Sequence, residues 1–247
     1  MTQVLTKEFI KRLVNDVKYL KKNPLHSNGI HYIHDDEDMM TGYALIIGPE
    51  NTVYEKGYYF FKFTFTSDYP HKPPQVKYIT NGGNVRFNPN LYTDGKVCIS
   101  LLNTWTGEQW TSCQSISTIL LTLCTLLNEN PLLTQPNVYE QHKDIPNYNK
   151  IIEYSNYDIA ICDVIDETSH LHNEDTHFIK LFRNVYIEHF KEHYPFHLNK
   201  IEKWMDSYKT QIISYRVSIY NMTVNANYKK LLKKIEQTYT SISEEGL

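Results

Sequence analysis

The sequence has few cysteines, and their number and spacing argue against a disulfide framework and against a metal site. The 247 residues contain four: Cys98, Cys113, Cys124 and Cys162. None forms a C-x-x-C pair, and four in a chain this long do not build a disulfide framework. The eleven histidines are scattered, and the helix-spaced pair His189 and His193 lacks a third nearby ligand. We therefore predict no metal site.

Long apolar runs are also missing. The most apolar stretch, residues 116–127, is too short to cross a bilayer and contains three threonines. The first 14 residues are interrupted by charged side chains and lack the apolar block of a secretory signal. These features predict an intracellular protein, cytoplasmic or nuclear, with no membrane partner. Alanine occurs three times and tyrosine 20 times, which suggests an AT-rich genome, that of a large DNA virus or of an AT-rich eukaryote. For a viral protein the compartment would belong to the host cell.

The sequence lacks a large excess of either positive or negative charge. The formal net charge is −3, without the basic surplus that a nucleic-acid-binding face usually requires, so we predict no nucleic-acid partner. Hydrophobic residues make up 41 % of the chain, enough for a packed core. The length fits one domain with an extension.

Periodicity predicts a helix followed by a meander. Residues 6–22 carry an apolar stripe at helical spacing, and Thr6 is a suitable cap. Four strand-like runs follow at about residues 29–34, 42–47, 58–66 and 75–79, and the third alternates aromatic with polar side chains. The short connections indicate an antiparallel sheet with one covered face and one more polar face.

The second half of the chain is predicted to be mainly helical. Residues 81–112 show no lasting periodicity, but interspersed apolar side chains, Trp105 and Trp110 among them, would anchor the segment, so we predict that it is ordered and functional. Residues 115–128 form a nearly all-apolar helix, which should be central and buried. A proline-containing loop spans about residues 131–149. From Tyr148 the pattern is helical to the end, with breaks near residues 166–174 and at Pro195, and a last helix that starts near Ile212.

Cys98 lies in the most informative segment, Asn88-Pro-Asn-Leu-Tyr-Thr-Asp-Gly-Lys-Val-Cys98. A nucleophilic cysteine needs access and thiolate character, and a nearby amide side chain can hydrogen-bond a developing oxyanion. From this local sequence alone, the interpretation of Cys98 as a small core hydrophobe is favoured over that of a nucleophile.

The segment resembles the active-site signature of the ubiquitin-conjugating enzymes, in which a His-Pro-Asn motif precedes the cysteine. In that family the cysteine follows the asparagine by eight positions, the separation of Asn90 and Cys98 here. The run Tyr69-Pro-His-Lys-Pro-Pro74 and the later Trp110 match further family motifs in the same order. The runs of residues 84–90, 95–98, 104–107, 114–117, 130–131 and 147–149 resemble the Z-type branch. That branch has extra residues between the cysteine and the tryptophan, here an inserted loop between Cys98 and Trp110, and a helical C-terminal extension.

The resemblance implies a fold and a division of the chain. The fold is the α+β UBC fold: an N-terminal helix, a four-stranded antiparallel sheet, a central helix and additional C-terminal helices. The core would cover residues 1–165 and the C-terminal helical extension residues 166–247.

The resemblance also implies residue roles. Cys98 is the nucleophile that accepts ubiquitin or a ubiquitin-like protein as a thioester from the activating enzyme. Asn90 supports the active-site loop and the oxyanion when the acyl group passes to a substrate amine or a ligase cysteine. Lys7, Lys11 and Arg12 would meet the activating enzyme. His71, Pro73 and Ser112 would meet the ubiquitin ligase. No cofactor is expected, because ATP is consumed by the activating enzyme.

The sequence departs from the family pattern at several positions. Asn88 replaces the first histidine of the motif, but an asparagine still forms local backbone hydrogen bonds. His71 and the run Thr111-Ser-Cys113 differ from common ligase-binding residues. The run Pro131-Leu-Leu133 lacks the acid that many relatives place near the cysteine to help deprotonate an attacking lysine.

Two alternatives remain open at this stage. One is a catalytically silent adaptor with the same fold that binds ubiquitin. The other is an interaction protein that binds through its C-terminal helices. The sequence does not identify the cargo, ligase, substrate, chain linkage or oligomeric state.

Overall fold

A computed structural model describes residues 5–208 and 212–244 of the chain. The helices are α1 (Lys7–Lys22), α2 (Ile116–Leu126), α3 (Ile145–Ser155), α4 (Arg183–Tyr208) and α5 (Tyr228–Glu244). The strands are β1 (Ile30–His34), β2 (Thr41–Ile47), β3 (Tyr58–Thr64), β4 (Gln75–Tyr78), β5 (Ile213–Val217) and β6 (Met222–Ala226). The predicted α+β class and UBC architecture are confirmed.

Helix α1 begins at its predicted cap, but Ile10 of the predicted apolar stripe is 37 % exposed, whereas Phe9, outside that prediction, is buried. The Thr6 hydroxyl accepts a hydrogen bond from the Phe9 amide at 3.1 Å, which satisfies one of the free N–H groups of the first turn. Phe9, Leu13 and Leu20 are buried along one stripe. The exposed Lys7 and Lys11 lie outside that stripe. Helical spacing therefore fixes which side of α1 is free to contact another protein.

The four-stranded sheet has the order β1-β2-β3-β4, and every neighbouring pair is antiparallel. Ala44 of β2 stands opposite Phe61 of β3, which stands opposite Tyr78 of β4. All four strands lie within two residues of their predicted bounds. The alternation of large side chains in β3 was the strongest signal.

The prediction that one sheet face is more polar is wrong for the central strands. Phe61 of β3 packs against Tyr78 on one face. On the other face Phe60 contacts Phe182, with ring centroids 5.7 Å apart. Tyr58 contacts Tyr186 on the same side at 5.7 Å. Residues 174–190 therefore cover the face that a meander alone would leave to solvent, which explains why β2 and β3 are apolar along nearly their whole length.

Helix α2 is the predicted central helix. Ser115 and Thr118 form a capping box at its start. Ile116, Ile119, Leu120 and Leu123 are fully buried. Its last turn faces the irregular segment 81–112, which is ordered by a short 3₁₀ turn and isolated bridges. α2 thus supports the segment that contains Cys98.

Pro195 does not break the helix, contrary to the prediction. It lies inside α4, which runs unbroken through it to Tyr208. A proline in a helix costs about 3 kcal/mol, but aromatic packing flanks this position. Tyr194 stacks on Tyr239 with ring centroids 3.8 Å apart, and buried His197 stacks on Phe190 at 5.5 Å. A ring contact with α5 and one within α4 therefore flank the proline.

The predicted helix from Ile212 is also wrong, because its first part is the β5–β6 hairpin. Burial alternates along it: Tyr215 and Val217 are buried, whereas Ser214 and Arg216 are exposed. This is a period of two, characteristic of a half-buried strand. The turn places Asn221 at a φ of 48°, a left-handed conformation that asparagine tolerates well. Only residues 228–244 continue as a helix.

Ion pairs join the C-terminal extension to the core. Lys234 of α5 lies 2.5 Å from a carboxylate oxygen of Asp158 and 2.6 Å from one of Asp163, both on a π-helical segment (Asn156–Asp163). The side chains of the extension belong to the same hydrophobic cluster as the sheet. The boundary at residue 165 stays a prediction. Within the described ranges no helix has the length and apolar character to cross a membrane.

Candidate active site

Asn88 anchors the active-site segment to the end of α2. It is fully buried, and its side-chain amide donates to the Leu126 carbonyl at the end of α2 at 2.8 Å. Its side-chain oxygen accepts from the Asn90 backbone amide at 2.8 Å. Buried amides are stabilising only when such bonds are made. Asn88 therefore fills the motif's first position as a structural residue.

Asn90 and Cys98 are brought together by two hydrogen bonds. The Cys98 amide donates to the Asn90 carbonyl at 2.9 Å, and the Asn90 side-chain amide donates to the Cys98 carbonyl at 2.6 Å. The turn between them is closed by the Gly95 amide, which donates to the Tyr92 carbonyl at 2.9 Å. Gly95 has a φ of 91°, which favours glycine. An eight-residue separation in sequence thus becomes direct contact.

The side-chain amide of Asn90 can form hydrogen bonds beyond the one to the Cys98 carbonyl. An amide nitrogen carries two N–H donors, and only one is needed for the Cys98 carbonyl. The Asn90 oxygen has no hydrogen-bond partner among residues 5–208 and 212–244. The second N–H is available for an oxyanion that forms at an acyl group on Cys98.

The expectation of an accessible cysteine is wrong for this conformation. Cys98 is only 2 % exposed. The groove of about 440 Å³ beside it is lined by Val97 and Thr104 but not by Cys98. Acyl transfer requires contact between the sulfur and a carbonyl carbon, so the side chains around Cys98 must move before it reacts.

Thr104 holds an inserted loop against the cysteine segment, a contact that sequence reasoning missed. Its hydroxyl donates to the Val97 carbonyl at 2.9 Å and accepts from the Ile99 amide at 3.0 Å. One side chain therefore fixes the residues on both sides of Cys98. Thr104 opens the run 104–107 that resembles the Z-type branch, but that resemblance assigns it no role.

The two predicted binding surfaces are contiguous. Arg12 of α1 donates to the backbone carbonyls of Ser112 and Gln114. Ser112 and His71 are 3.4 Å apart between hydroxyl and ring nitrogen, and His71 also lies 3.4 Å from the Glu8 carboxylate. Pro73 is partly exposed further along the loop that contains His71. From the sequence, α1 and the ligase loops are assigned to two different partners, with no sign that they are in contact.

Trp110 fixes that arrangement. It is 7 % exposed, and its indole N–H donates to the Pro70 carbonyl at 2.7 Å. Trp105, also expected to anchor the irregular segment, is instead 42 % exposed. One predicted anchor is therefore correct and the other is wrong.

The other cysteines differ from Cys98 in their surroundings. Burial raises the pKa of the Cys162 thiol to about 12, so it stays protonated at neutral pH. Burial also raises the pKa of half-buried Cys124. Cys113 is exposed. Across the described part of the chain, no three His, Cys, Asp or Glu side chains cluster in a way that suits a metal ion; the expectation of no metal site stays a prediction.

Comparison with known proteins identifies the family. Residues 12–155 match the family model described as ubiquitin-conjugating enzyme. The chain is 42 % identical to Ubiquitin-conjugating enzyme E2 Z of Danio rerio over 165 residues, which is 65 % of this chain and 49 % of the relative. It is 42 % identical to the Homo sapiens protein of the same name over 159 residues, 63 % of this chain and 44 % of the relative.

A third relative also covers the extension. Probable ubiquitin-conjugating enzyme E2 23 of Arabidopsis thaliana is 29 % identical over 252 residues, 97 % of this chain and 22 % of the relative. The chain spans about half the length, or less, of these relatives. The family model covers more than half of the chain and includes Asn90 and Cys98. The chain therefore belongs to the ubiquitin-conjugating enzyme family, with its resemblance to the Z-type branch confirmed.

Proposed function

We propose that this chain accepts ubiquitin or a ubiquitin-like protein from the activating enzyme as a thioester on Cys98 and passes it to a substrate amine or a ligase cysteine. The observation that carries this proposal is the pair of hydrogen bonds between Asn90 and Cys98, at 2.6 and 2.9 Å. It places an amide donor beside the candidate nucleophile. ATP would be consumed by the activating enzyme, so no cofactor of this chain is required.

The first step is a thioester exchange. The Cys98 thiolate attacks the carbonyl carbon of the acyl group on the activating enzyme, a new C–S bond forms, and the activating enzyme's thiolate leaves. In the second step an amine nitrogen attacks the same carbon. The oxyanion that forms accepts a hydrogen bond from the second side-chain N–H of Asn90. Collapse expels the Cys98 thiolate, and the amine loses a proton to a base.

The second step places a requirement on the acceptor. A free lysine is mostly protonated at neutral pH, since its ordinary pKa is about 10.4. The run Pro131-Leu-Leu133 supplies no acid at the position where many relatives have one. Unless another group supplies this base, transfer to a ligase cysteine is favoured, because it needs no lysine deprotonation at this site.

Binding of the activating enzyme and of the ligase is proposed on one continuous surface. Lys7 and Lys11 are exposed on α1, and Arg12 links α1 to Ser112. Arg12→Ala should slow charging and ligase-dependent discharge alike, because it releases the ligase loop. Lys7→Ala should slow charging alone. Initial rates of both steps decide this; equal effects of the two variants would refute the distinction.

One observation favours a second candidate, the catalytically silent ubiquitin-binding adaptor. Cys98 is 2 % exposed, as expected for a cysteine with a packing role. The adaptor would bind ubiquitin without forming a covalent adduct. A cytoplasmic or nuclear location, in a host cell for a viral protein, is part of the proposal for either function.

A charging assay separates the two candidates. The chain is incubated with activating enzyme, ATP and ubiquitin, then analysed with and without thiol. The native chain should give a thiol-sensitive adduct, Cys98→Ser a thiol-resistant ester at a lower rate, and Cys98→Ala none. Cys113→Ala is the matched control and should charge normally, because Cys113 is exposed and distant in sequence from Asn90. An adduct that survives Cys98→Ala would overturn the proposal.

A further inference from the structure

Arg86 holds both ends of the turn that contains Asn90. Its guanidinium donates to the Pro89 carbonyl at 2.5 Å. The guanidinium carbon also lies 3.6 Å from the ring centroid of Tyr92. Pro89 and Tyr92 flank Asn90 on its two sides. One partly buried side chain therefore restrains the backbone that carries the candidate oxyanion donor.

The β5–β6 hairpin supplies contacts from the other direction. The Tyr220 ring centroid is 4.7 Å from the same guanidinium carbon, so a second aromatic ring packs against Arg86. The backbone amide of Arg86 donates to the Met222 sulfur at 3.4 Å. Flat guanidinium groups stack on aromatic faces, and such contacts strengthen when water is excluded. Residues more than 130 positions away in sequence thus complete the surroundings of Arg86.

The tip of the hairpin is itself fixed to the core. A side-chain oxygen of buried Asp144 accepts from the Ser218 amide at 2.9 Å and the Ile219 amide at 3.0 Å. The Tyr220 hydroxyl donates to the Gln135 side chain at 2.7 Å. Because the hairpin tip is held in place, the Tyr220 ring can in turn hold the Arg86 guanidinium group in place.

We propose that the β5–β6 hairpin is a positioning element of the active site, in which Tyr220 acts through Arg86 on the turn that carries Asn90. The inference rests on the proposed function, since it assigns a role in acyl transfer from Cys98. Tyr220 is a positioning residue that does not contact the reacting atoms. Misplacement of a transition-state donor by about 1 Å is enough to lower a rate strongly. The C-terminal extension would thus contribute to catalysis in addition to covering the sheet.

The test measures discharge separately from charging in the full chain. Each variant is charged with ubiquitin, ATP is removed, and loss of the thioester is followed with hydroxylamine, a small amine nucleophile. Tyr220→Leu removes the aromatic face, whereas Tyr220→Phe keeps the ring and loses only the bond to Gln135. Tyr194→Leu is the matched control, because it breaks a different aromatic pair of the extension, with Tyr239.

We expect Tyr220→Leu to lower the discharge rate constant by about tenfold, with Tyr220→Phe close to the native chain. Tyr194→Leu should lower the melting temperature without changing the rate constant. Arg86→Lys should also slow discharge, and the double variant Arg86→Lys with Tyr220→Leu should be little slower than either single variant, because both act on one contact. If Tyr220→Leu does not fold, the discharge rate constant of Arg86→Lys is compared with that of Tyr220→Phe, and a slower rate in Arg86→Lys supports the proposal.

The possible failures are distinguishable. A native chain that never forms a thioester overturns the proposed function, and this inference with it. A native chain that charges, with Tyr220→Leu discharging as fast as Tyr194→Leu, overturns the inference alone. Multiplicative effects of the Arg86 and Tyr220 substitutions would also refute it, because they would show independent action.

Discussion

Tyr43 of β2 and Phe178 of the C-terminal extension stack face to face, with ring centroids 4.3 Å apart and an interplanar angle of 10°. Phe178 also contacts Phe60 of β3. Offset aromatic pairs contribute beyond their buried area. The contact shows how the extension replaces solvent on one face of the sheet, and it makes the extension part of the folding unit.

Removal of the Phe178 ring should therefore destabilise the whole chain. Phe178 is fully buried, and Phe→Ala at such positions lowers the free energy of unfolding by about 3–5 kcal/mol. Leu181→Ala, three residues away at a position that is 54 % exposed, should cost little. Urea denaturation of both variants checks this. Equal stabilities would contradict the role of the extension as a cover of the sheet.

Stability should fall in mild acid because of buried His197. Burial, with nearby His189, His193, Lys56 and Lys200 adding repulsion, lowers the pKa of His197 to about 3 from an ordinary value of 6.5. A histidine with a depressed folded-state pKa contributes stability that is present above the unfolded pKa and is lost as the pH falls towards the folded one. Between pH 7 and 5 the loss is about 2 kcal/mol for this group.

The variant His197→Phe tests this pH dependence. It keeps an aromatic ring against Phe190 and removes the titrating group. The loss of unfolding free energy between pH 7 and 5 should be about 2 kcal/mol smaller than in the native chain. Phe182→Leu, at a buried position that contacts Phe60, is the control and should lower stability at both pH values by the same amount. An unchanged pH dependence in His197→Phe would be contrary evidence.

Cys98 should react slowly with alkylating reagents in the resting chain. It is 2 % exposed, whereas Cys113 is exposed. Thr104→Val removes the hydroxyl that joins the inserted loop to Val97 and Ile99 and should speed alkylation of Cys98 several-fold. Peptide mass spectrometry after timed iodoacetamide treatment separates the two cysteines. Rapid labelling of Cys98 in the native chain would show that the covered conformation is not the main one.

Asn90→Asp should separate the two chemical steps. The substitution keeps the size of the side chain but replaces the donor that faces the Cys98 carbonyl by an acceptor. Loss of an oxyanion donor typically lowers a rate 10²–10³-fold, so discharge to an amine should fall by about that factor. Thioester formation should be affected much less. Asn103→Asp is the control, because Asn103 uses its side-chain oxygen to accept from the Trp110 amide. Equal discharge rates in native and Asn90→Asp chains would remove the assigned role.

The first half of the fold was predictable because local signals agree with tertiary packing there. Thr6 caps α1, the β3 alternation sets the sheet, and the all-apolar sequence of α2 requires burial. The hairpin was missed because Ile213, Val217 and Tyr220 also fit a helical stripe, and only burial shows the period of two. Pro195 was misread because the rings that pack beside it come from α5, from the π-helical segment 156–163 and from α4 itself, and no local pattern reveals those contacts.

The site was predictable in its chemistry and less so in its surroundings. Asn90 and Cys98 are linked by a motif spacing, and the structure brings them into contact. Arg86 and Thr104 lie in runs that resemble the Z-type branch, but the resemblance assigns them no role, and Tyr220 lies in no such run. The burial of Cys98 depends on an inserted loop whose path no local pattern specifies.

The most direct test of the central claim is to map where the acyl group sits after charging. The chain is charged with ubiquitin at low pH to preserve thioesters, trapped, digested and analysed by peptide mass spectrometry. The account predicts that the ubiquitin C-terminus is attached to the peptide that contains Cys98. Attachment to exposed Cys113 instead, or no ATP-dependent attachment to any cysteine, would contradict it.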